Sequence, residues 1–121
     1  MSLCEAHSFR EKALELTGND HPTAQRLLAM IAETNRTTLA SLQASIAASA
    51  WDGVAGAAHR IAGSARLLAC ADLIALLTEL EARARERERA AACKLLVLVV
   101  DALAKFEASI HAAVGGIVGT E

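Results

Sequence analysis

Nonpolar side chains recur along this chain at intervals of three and four residues, the spacing of a helix face rather than the alternation of a strand. Leu27, Ile31, Thr34, Thr38, Leu42 and Ile46 mark one such stripe, which runs to about Ala48. Val54, Ala57, Ile61, Ala65 and Leu68 mark a second. Leu73, Leu76, Leu77 and Leu80 form a third, and Leu95, Leu96, Val99, Leu103, Phe106 and Ile110 a fourth. Between the stripes stand the residues that start and stop helices. A short leading helix is expected from a cap at Ser8, with Glu11 three residues on, to a stop at Gly18. Asp20 or His21 caps the next helix, and Pro22 falls in its first turn, where a missing N–H costs nothing. "SAWDGVAG" breaks the pattern, and a third helix begins near Trp51 or Asp52. A turn follows at Ala69–Cys70–Ala71, and Asp72 serves as the N-cap or first-turn acid of the fourth helix. The chain turns again around Arg89–Ala91, and the last helix is expected to end by Gly115–Gly116. The prediction is an all-α, antiparallel four-helix bundle with a short additional N-terminal helix.

Composition supports this and narrows the function. At 121 residues the chain is one domain, with 54% hydrophobic residues, only 2% aromatic residues and a single proline. Its packed core is expected over about 8–114, with a frayed tail at 115–121. Residues 1–3 read as a cloning-derived start, so the chain is expected to be one piece of a longer protein. A formal net charge of −2 gives no basic footprint for nucleic acid. The run "EARARERER" (Glu81–Arg89) alternates in sign and reads as a solvated helix end with short-range ion pairs. Three cysteines without a CxxC pair predict neither a disulfide framework nor a zinc site. Cys70 and Cys93 are expected as small buried hydrophobes in a reducing, cytoplasmic compartment. No signal peptide or membrane-length apolar run is visible.

One histidine stands apart. In "AAHRIAGSARLL" (Ala57–Leu68) the ring of His59 is set among the smallest residues available. On a helical wheel of about 100° per residue, the Val54–Leu68 stripe lies roughly opposite His59. That phase directs the imidazole to solvent, with Ala55, Gly56, Ala62 and Gly63 as its neighbours one turn away. Gly56 and Gly63 cost helix stability on the order of 1 kcal/mol each relative to alanine. Two such residues on an exposed face suit the close approach of something large; glycines tolerated there by drift are the plainer alternative. Leu67 lies well off the core stripe, either as a partner contact or under a neighbouring helix. His7, His21 and His111 fall near helix ends without a motif. With no ExxH or CxxCH pairing, a metal or haem bundle has no support, and no metal is expected.

The segment "AHRIAGSARLLACADLIALLTELE" (Ala58–Glu81) resembles the signature of histidine-containing phosphotransfer domains. Their pattern is a histidine, any residue, then leucine, lysine, glycine and serine, followed by "LGA" and a leucine-rich helix ending in "LE". His59 falls on the histidine, Ile61 on the leucine, Gly63 and Ser64 on the glycine and serine, Leu68 on the first letter of "LGA", and Leu80–Glu81 on the closing pair. "LTGNDHPTAQRLL" resembles the family's start of the preceding helix, and the similarity extends from about Phe9 to Ile110. Two departures stand out: Ala62 occupies the lysine position, and Ala69–Cys70 replace the glycine and alanine.

The resemblance implies a phosphorelay intermediate, with His59 as the nucleophile. It would take a phosphoryl group from a receiver-domain aspartate and pass it to the aspartate of a response regulator. Arg60, Ala62, Gly63 and Arg66 would form the phosphate environment, with Arg66 in part replacing the missing lysine. Ala55, Gly56, Gly63 and Leu67 would form the docking face. Without a nucleotide-binding glycine loop the chain is a phosphocarrier rather than an enzyme. It needs no cofactor of its own, Mg²⁺ being expected on the receiver. The partners are receiver domains, with no nucleic acid and no direct membrane contact, and the chain is expected to be a monomer. The resemblance also suggests the C-terminal domain of a hybrid sensor histidine kinase whose longer chain is anchored in an inner membrane. A plain helical interaction or dimerisation module is the rival reading.

Overall fold

A computed structural model of the chain describes residues 5–118. It contains α1 (Ala6–Leu16), α2 (His21–Ala47), α3 (Trp51–Leu67), α4 (Ala71–Arg85) and α5 (Arg89–Val118), and no strand among the described residues. Helices α2 to α5 pack in chain order around a bundle that closes by α5 meeting α2, while α1 lies against α5 and α2. Helices α3 and α5 therefore stand on diagonal corners. The four predicted stripes meet inside, with Ile31, Leu42, Ile61, Leu77, Val99 and Phe106 all buried. On α2, however, Thr34 is exposed and Leu27 only half-buried, and Leu28 and Asn35 take the buried places beside them. Phe9 and Phe106 pack edge to face with ring centres 5.1 Å apart, which fastens α1 to α5.

The connections are short and alike. Each helix from α1 to α4 ends in the paired backbone hydrogen bonds of a Schellman turn or its close variant, with a left-handed residue just past the C-cap. Between α3 and α4, for example, the Cys70 N–H donates to the Ala65 carbonyl (2.9 Å) and the Ala69 N–H to that of Arg66 (3.1 Å). The left-handed residues next to the C-caps are Gly18, Ser49, Ala69 and Arg87, with φ of 63°, 55°, 57° and 57°, and Asn19 after Gly18 is left-handed too, at 67°. Cys70 closes this turn and is also the residue before the first of α4, so three residues suffice to reverse the chain.

One polar contact crosses the interior. The Ser64 hydroxyl, on α3, donates to Asn35 Oδ1, on α2, at 2.9 Å. Asn35 is only 5% exposed, so this bond satisfies a group that water cannot reach.

Several expected details differ. Helix α1 begins at Ala6, not Ser8, and no side chain caps it. Ser8 and Phe9 therefore lie inside the first turn of α1. Asp20 does cap α2, accepting from the Thr23 N–H at 3.4 Å. The turn expected at Arg89–Ala91 lies at 86–88, where Arg83 pairs with both Glu86 (3.0 Å) and Glu88 (3.1 Å). Helix α5 does not stop at Gly115–Gly116 but continues to Val118. Gly116 provides room instead: a Cβ there would collide with the Arg10 guanidinium, which reaches the Ala113 carbonyl at 3.5 Å. Cys93 is exposed, not buried, because it falls on the outer side of α5. Cys70 is buried as expected but is disulfide-bonded rather than a free thiol. The expected start at 1–3 and the end of the tail at 119–121 lie outside the described residues.

Two outcomes follow for stability. A left-handed conformation costs a β-carbon-bearing residue roughly 1 kcal/mol that glycine is spared, so Ala69→Gly is expected to stabilise the fold by about that amount in urea unfolding. Ser64→Ala leaves Asn35 Oδ1 buried without this donor and should cost about 1–3 kcal/mol in the same assay; a neutral result would show that the bond contributes little.

Candidate functional site

The wheel places His59 correctly. Its side chain is 66% exposed, midway along the outer face of α3. The neighbourhood is less symmetric than the wheel suggests. Ala55 and Ala62 are each only 1% exposed, as are Ala58 and Ala65 at most. These four alanines form a continuous small-residue face along which α4 packs, while Ser64 on the other flank faces α2. Ala55 is therefore not part of an open docking face, and Ala62 lies beneath the site as packing. A single-helix wheel misses this because α3 is covered by two neighbours, and its buried arc is wider than one stripe.

The clearance survives on one side only. A Cβ at Gly63 would meet nothing within 4 Å, and one at Gly56 would meet only the Arg60 guanidinium at 3.8 Å. Arg60 is thus folded back over Gly56. Leu67 is 45% exposed, so a neighbouring helix does not cover it. It borders a shallow groove with Leu16, Leu27 and Met30, of which Leu16 and Met30 are also exposed. Small residues next to the imidazole thus give way to an apolar patch at the end of α3.

From the other side α4 supplies what the motif reading did not assign. Glu81 places Oε1 3.3 Å from His59 Nδ1, and its Oε2 accepts from Arg85 Nη2 at 2.8 Å. The hydrogen bond from Arg85, with that from His59, holds the Glu81 carboxyl below its ordinary value of 4.5, against an opposing contribution from desolvation. Glu81 is therefore a carboxylate at neutral pH. A carboxylate can only accept, so Nδ1 carries the proton, and in the neutral ring the lone pair is left on Nε2. The contact with Glu81 leaves that nitrogen unengaged on a side chain that is mostly exposed. The arrangement can hold a nucleophilic imidazole in one tautomer and one orientation.

Glu81 had been visible only as the last letter of the motif and as one charge in an alternating run. The signal that could have found it is positional. His59 and Glu81 are equidistant, eleven residues each, from Cys70, the middle residue of the turn expected at Ala69–Cys70–Ala71, which the structure places one residue earlier, at 68–70. An antiparallel hairpin brings such positions opposite one another. Arg66 is exposed one residue before the end of α3, and among the described residues it has no ion-pair partner. The other histidines have plain local roles: His7 pairs with Glu11 (3.4 Å) and His111 with Glu107 (3.6 Å), while His21 opens α2. No group of three potential metal ligands occurs among the described residues.

The tautomer assignment can be measured. Ring ¹⁵N shifts of the wild-type protein should show His59 protonated on Nδ1, and Glu81→Ala should raise the Nε2-protonated population; identical spectra would count against the pairing. Because the Glu81 carboxyl is held low in the folded state, its stabilisation is present above its ordinary range and is lost as pH falls through the lowered value. The stability difference between wild type and Glu81→Gln should accordingly be full at neutral pH and shrink in acid.

A search of curated proteins and a search of solved structures gave no match. The sequence profile of the Hpt domain matches residues 26–109, from the first third of α2 through most of α5. That span includes His59, Glu81, all of α3 and α4 and most of α2 and α5, and it leaves α1 outside. No described helix is long and apolar enough to cross a membrane. A four-helix bundle carrying this motif, matched over more than half its length, belongs to the Hpt domain family, the phosphocarrier modules of histidine phosphotransfer in two-component signalling.

Proposed function

We propose that His59 is the phosphoryl-accepting residue of a phosphorelay, receiving from the aspartate of one receiver domain and donating to that of a response regulator. The observation that carries this reading is the combination of an exposed ring, an Nδ1 engaged by Glu81 and open space over Gly63. In the forward step the Nε2 lone pair attacks the phosphorus of an aspartyl phosphate. The bond from phosphorus to the carboxyl oxygen breaks, and the aspartate leaves as a carboxylate. The phosphorylated ring keeps its Nδ1 proton and becomes cationic, and Glu81 faces that charge. The reverse sequence on the second receiver restores the neutral imidazole. Such a step depends on alignment and charge stabilisation more than on covalent chemistry by the protein. The receiver, with its Mg²⁺, supplies the remainder, and this chain needs neither an ATP site nor a cofactor.

The missing lysine finds candidate substitutes among the arginines. Arg66 lies two turns beyond His59 on nearly the same face, and Arg60 folds over Gly56 beside it. Arg85 is the best placed, because Glu81 ties it to His59. Its charge stands on α4, across the seam that Ala62 keeps narrow. The docking face is then Gly56, Gly63 and Leu67, extended by Met30 and Leu16, an apolar surface of the kind that marks protein interaction sites. On this reading the chain works alone or as part of a longer sensor kinase.

Transfer of radiolabel from a phosphorylated receiver tests the proposal directly. Wild type should accept label and His59→Gln should not; equal labelling of the two would leave the interaction-module reading. Gly63→Trp should fold normally, since its side chain points into open space, yet slow transfer at least tenfold by blocking approach. Loss of one charge-assisted contact to phosphate is worth about 1.4 kcal/mol, or tenfold. Arg85→Ala and Arg66→Ala should each slow transfer by up to that factor, and an unchanged rate and phosphohistidine lifetime would remove either residue from the site.

A further inference from the structure

Helix α5 is nonpolar on both sides, although only one side meets the bundle. Its inner side carries Val99, Leu103, Phe106 and Ile110. Its outer side presents Ala90, Val97, Leu98, Ala104 and Ala108, all exposed, with Val97 at 69%. This is the most exposed large hydrophobic side chain described, and it lies in mid-helix rather than at a frayed end. Leu98 further borders a groove between α4 and α5 with Leu73 and Leu76, a seat for a nonpolar side chain from outside.

The charges on this face are arranged in a particular order. Lys94 stands three residues before Val97 and Asp101 three residues after Leu98. With a rise of about 1.5 Å per residue, each lies roughly 5 Å from the midpoint between Val97 and Leu98. A second copy of α5 laid antiparallel across that midpoint brings its Asp101 opposite Lys94 and its Lys94 opposite Asp101. Two equivalent ion pairs then flank a nonpolar centre of two Val97 and two Leu98 side chains. A parallel copy would set lysine against lysine and aspartate against aspartate. Lys94 has no ion-pair partner among the described residues. Asp101 meets Lys105 of its own helix through Oδ2 at 3.2 Å, which leaves Oδ1 for a second cation.

We infer that the chain forms a two-fold homodimer through the outer face of α5, antiparallel about Val97–Leu98 with reciprocal Lys94–Asp101 pairs. The interface is isologous, the same patch on both subunits, as closed dimers require. It stands on the corner of the bundle diagonal to α3, so both His59 rings remain open to partners. The inference is independent of the phosphotransfer reading.

Light scattering of the purified chain over a concentration series tests it. The mass should rise from one chain towards two, and Val97→Lys should weaken association at least tenfold without changing helix content. Lys94→Asp and Asp101→Lys should each weaken it several-fold, and the double exchange should recover it. A monomer up to about 1 mM, or a double variant as weak as the singles, would overturn the proposal. Register is read by oxidative cross-linking. In a Cys93→Ser background, Val97→Cys should form a dimer bond near the axis, whereas Cys93 in the wild type, some 13 Å along the helix from its counterpart, should not. Efficient Cys93 cross-linking would show a different register and overturn the antiparallel arrangement.

Discussion

The site depends on how closely α4 can approach α3. Ala55, Ala58, Ala62 and Ala65 line one flank of α3 without a large side chain among them, and all four are buried. That smooth flank lets a carboxylate from α4 reach the nucleophilic histidine over the edge of the seam instead of being held off by bulk. The three-residue turn between the helices then sets the register. If it were longer by one residue, Glu81 would be carried about 1.5 Å along its helix axis and rotated about 100° away from His59. Packing, turn geometry and tautomer choice are thus successive consequences of one close helix contact.

Much of this fold was legible in the hydrophobic pattern, because four separated helical stripes leave few ways to be buried. Element identity, the cap at Asp20 and the outward direction of His59 all followed from local spacing. What was missed depended on pairs of residues remote in sequence. Gly115–Gly116 looks like a stop until Arg10 is found lying over it. Ala55 and Ala62 look like clearance on a wheel that cannot show the second neighbour of α3. Glu81 looks like one charge among nine residues of alternating sign until the hairpin folds it back. Small residues were the most ambiguous, since alanine and glycine serve equally as packing surface or as open ground.

The departures from the family pattern make sense in this geometry. Ala62, where the family has lysine, is under the α3–α4 seam, so a cation supplied from α4 is a reasonable exchange for one supplied from α3. Ala69, where the family has glycine, holds the left-handed position of the same turn. One departure thus falls at the nucleophile and the other at the hinge of the hairpin, the two places that together decide what faces His59.

The left-handed residues at the bundle's turns have a wider consequence. Ser49, Ala69 and Arg87 each occupy a conformation that glycine would adopt more cheaply, and all three lie at helix ends, far along the axis from the middle of α3. The fold therefore holds several increments of stability in reserve at its turns, away from His59 itself. Changes in the docking surface that weaken packing can be offset at these corners. Recognition and robustness occupy separate parts of the chain and are free to drift independently.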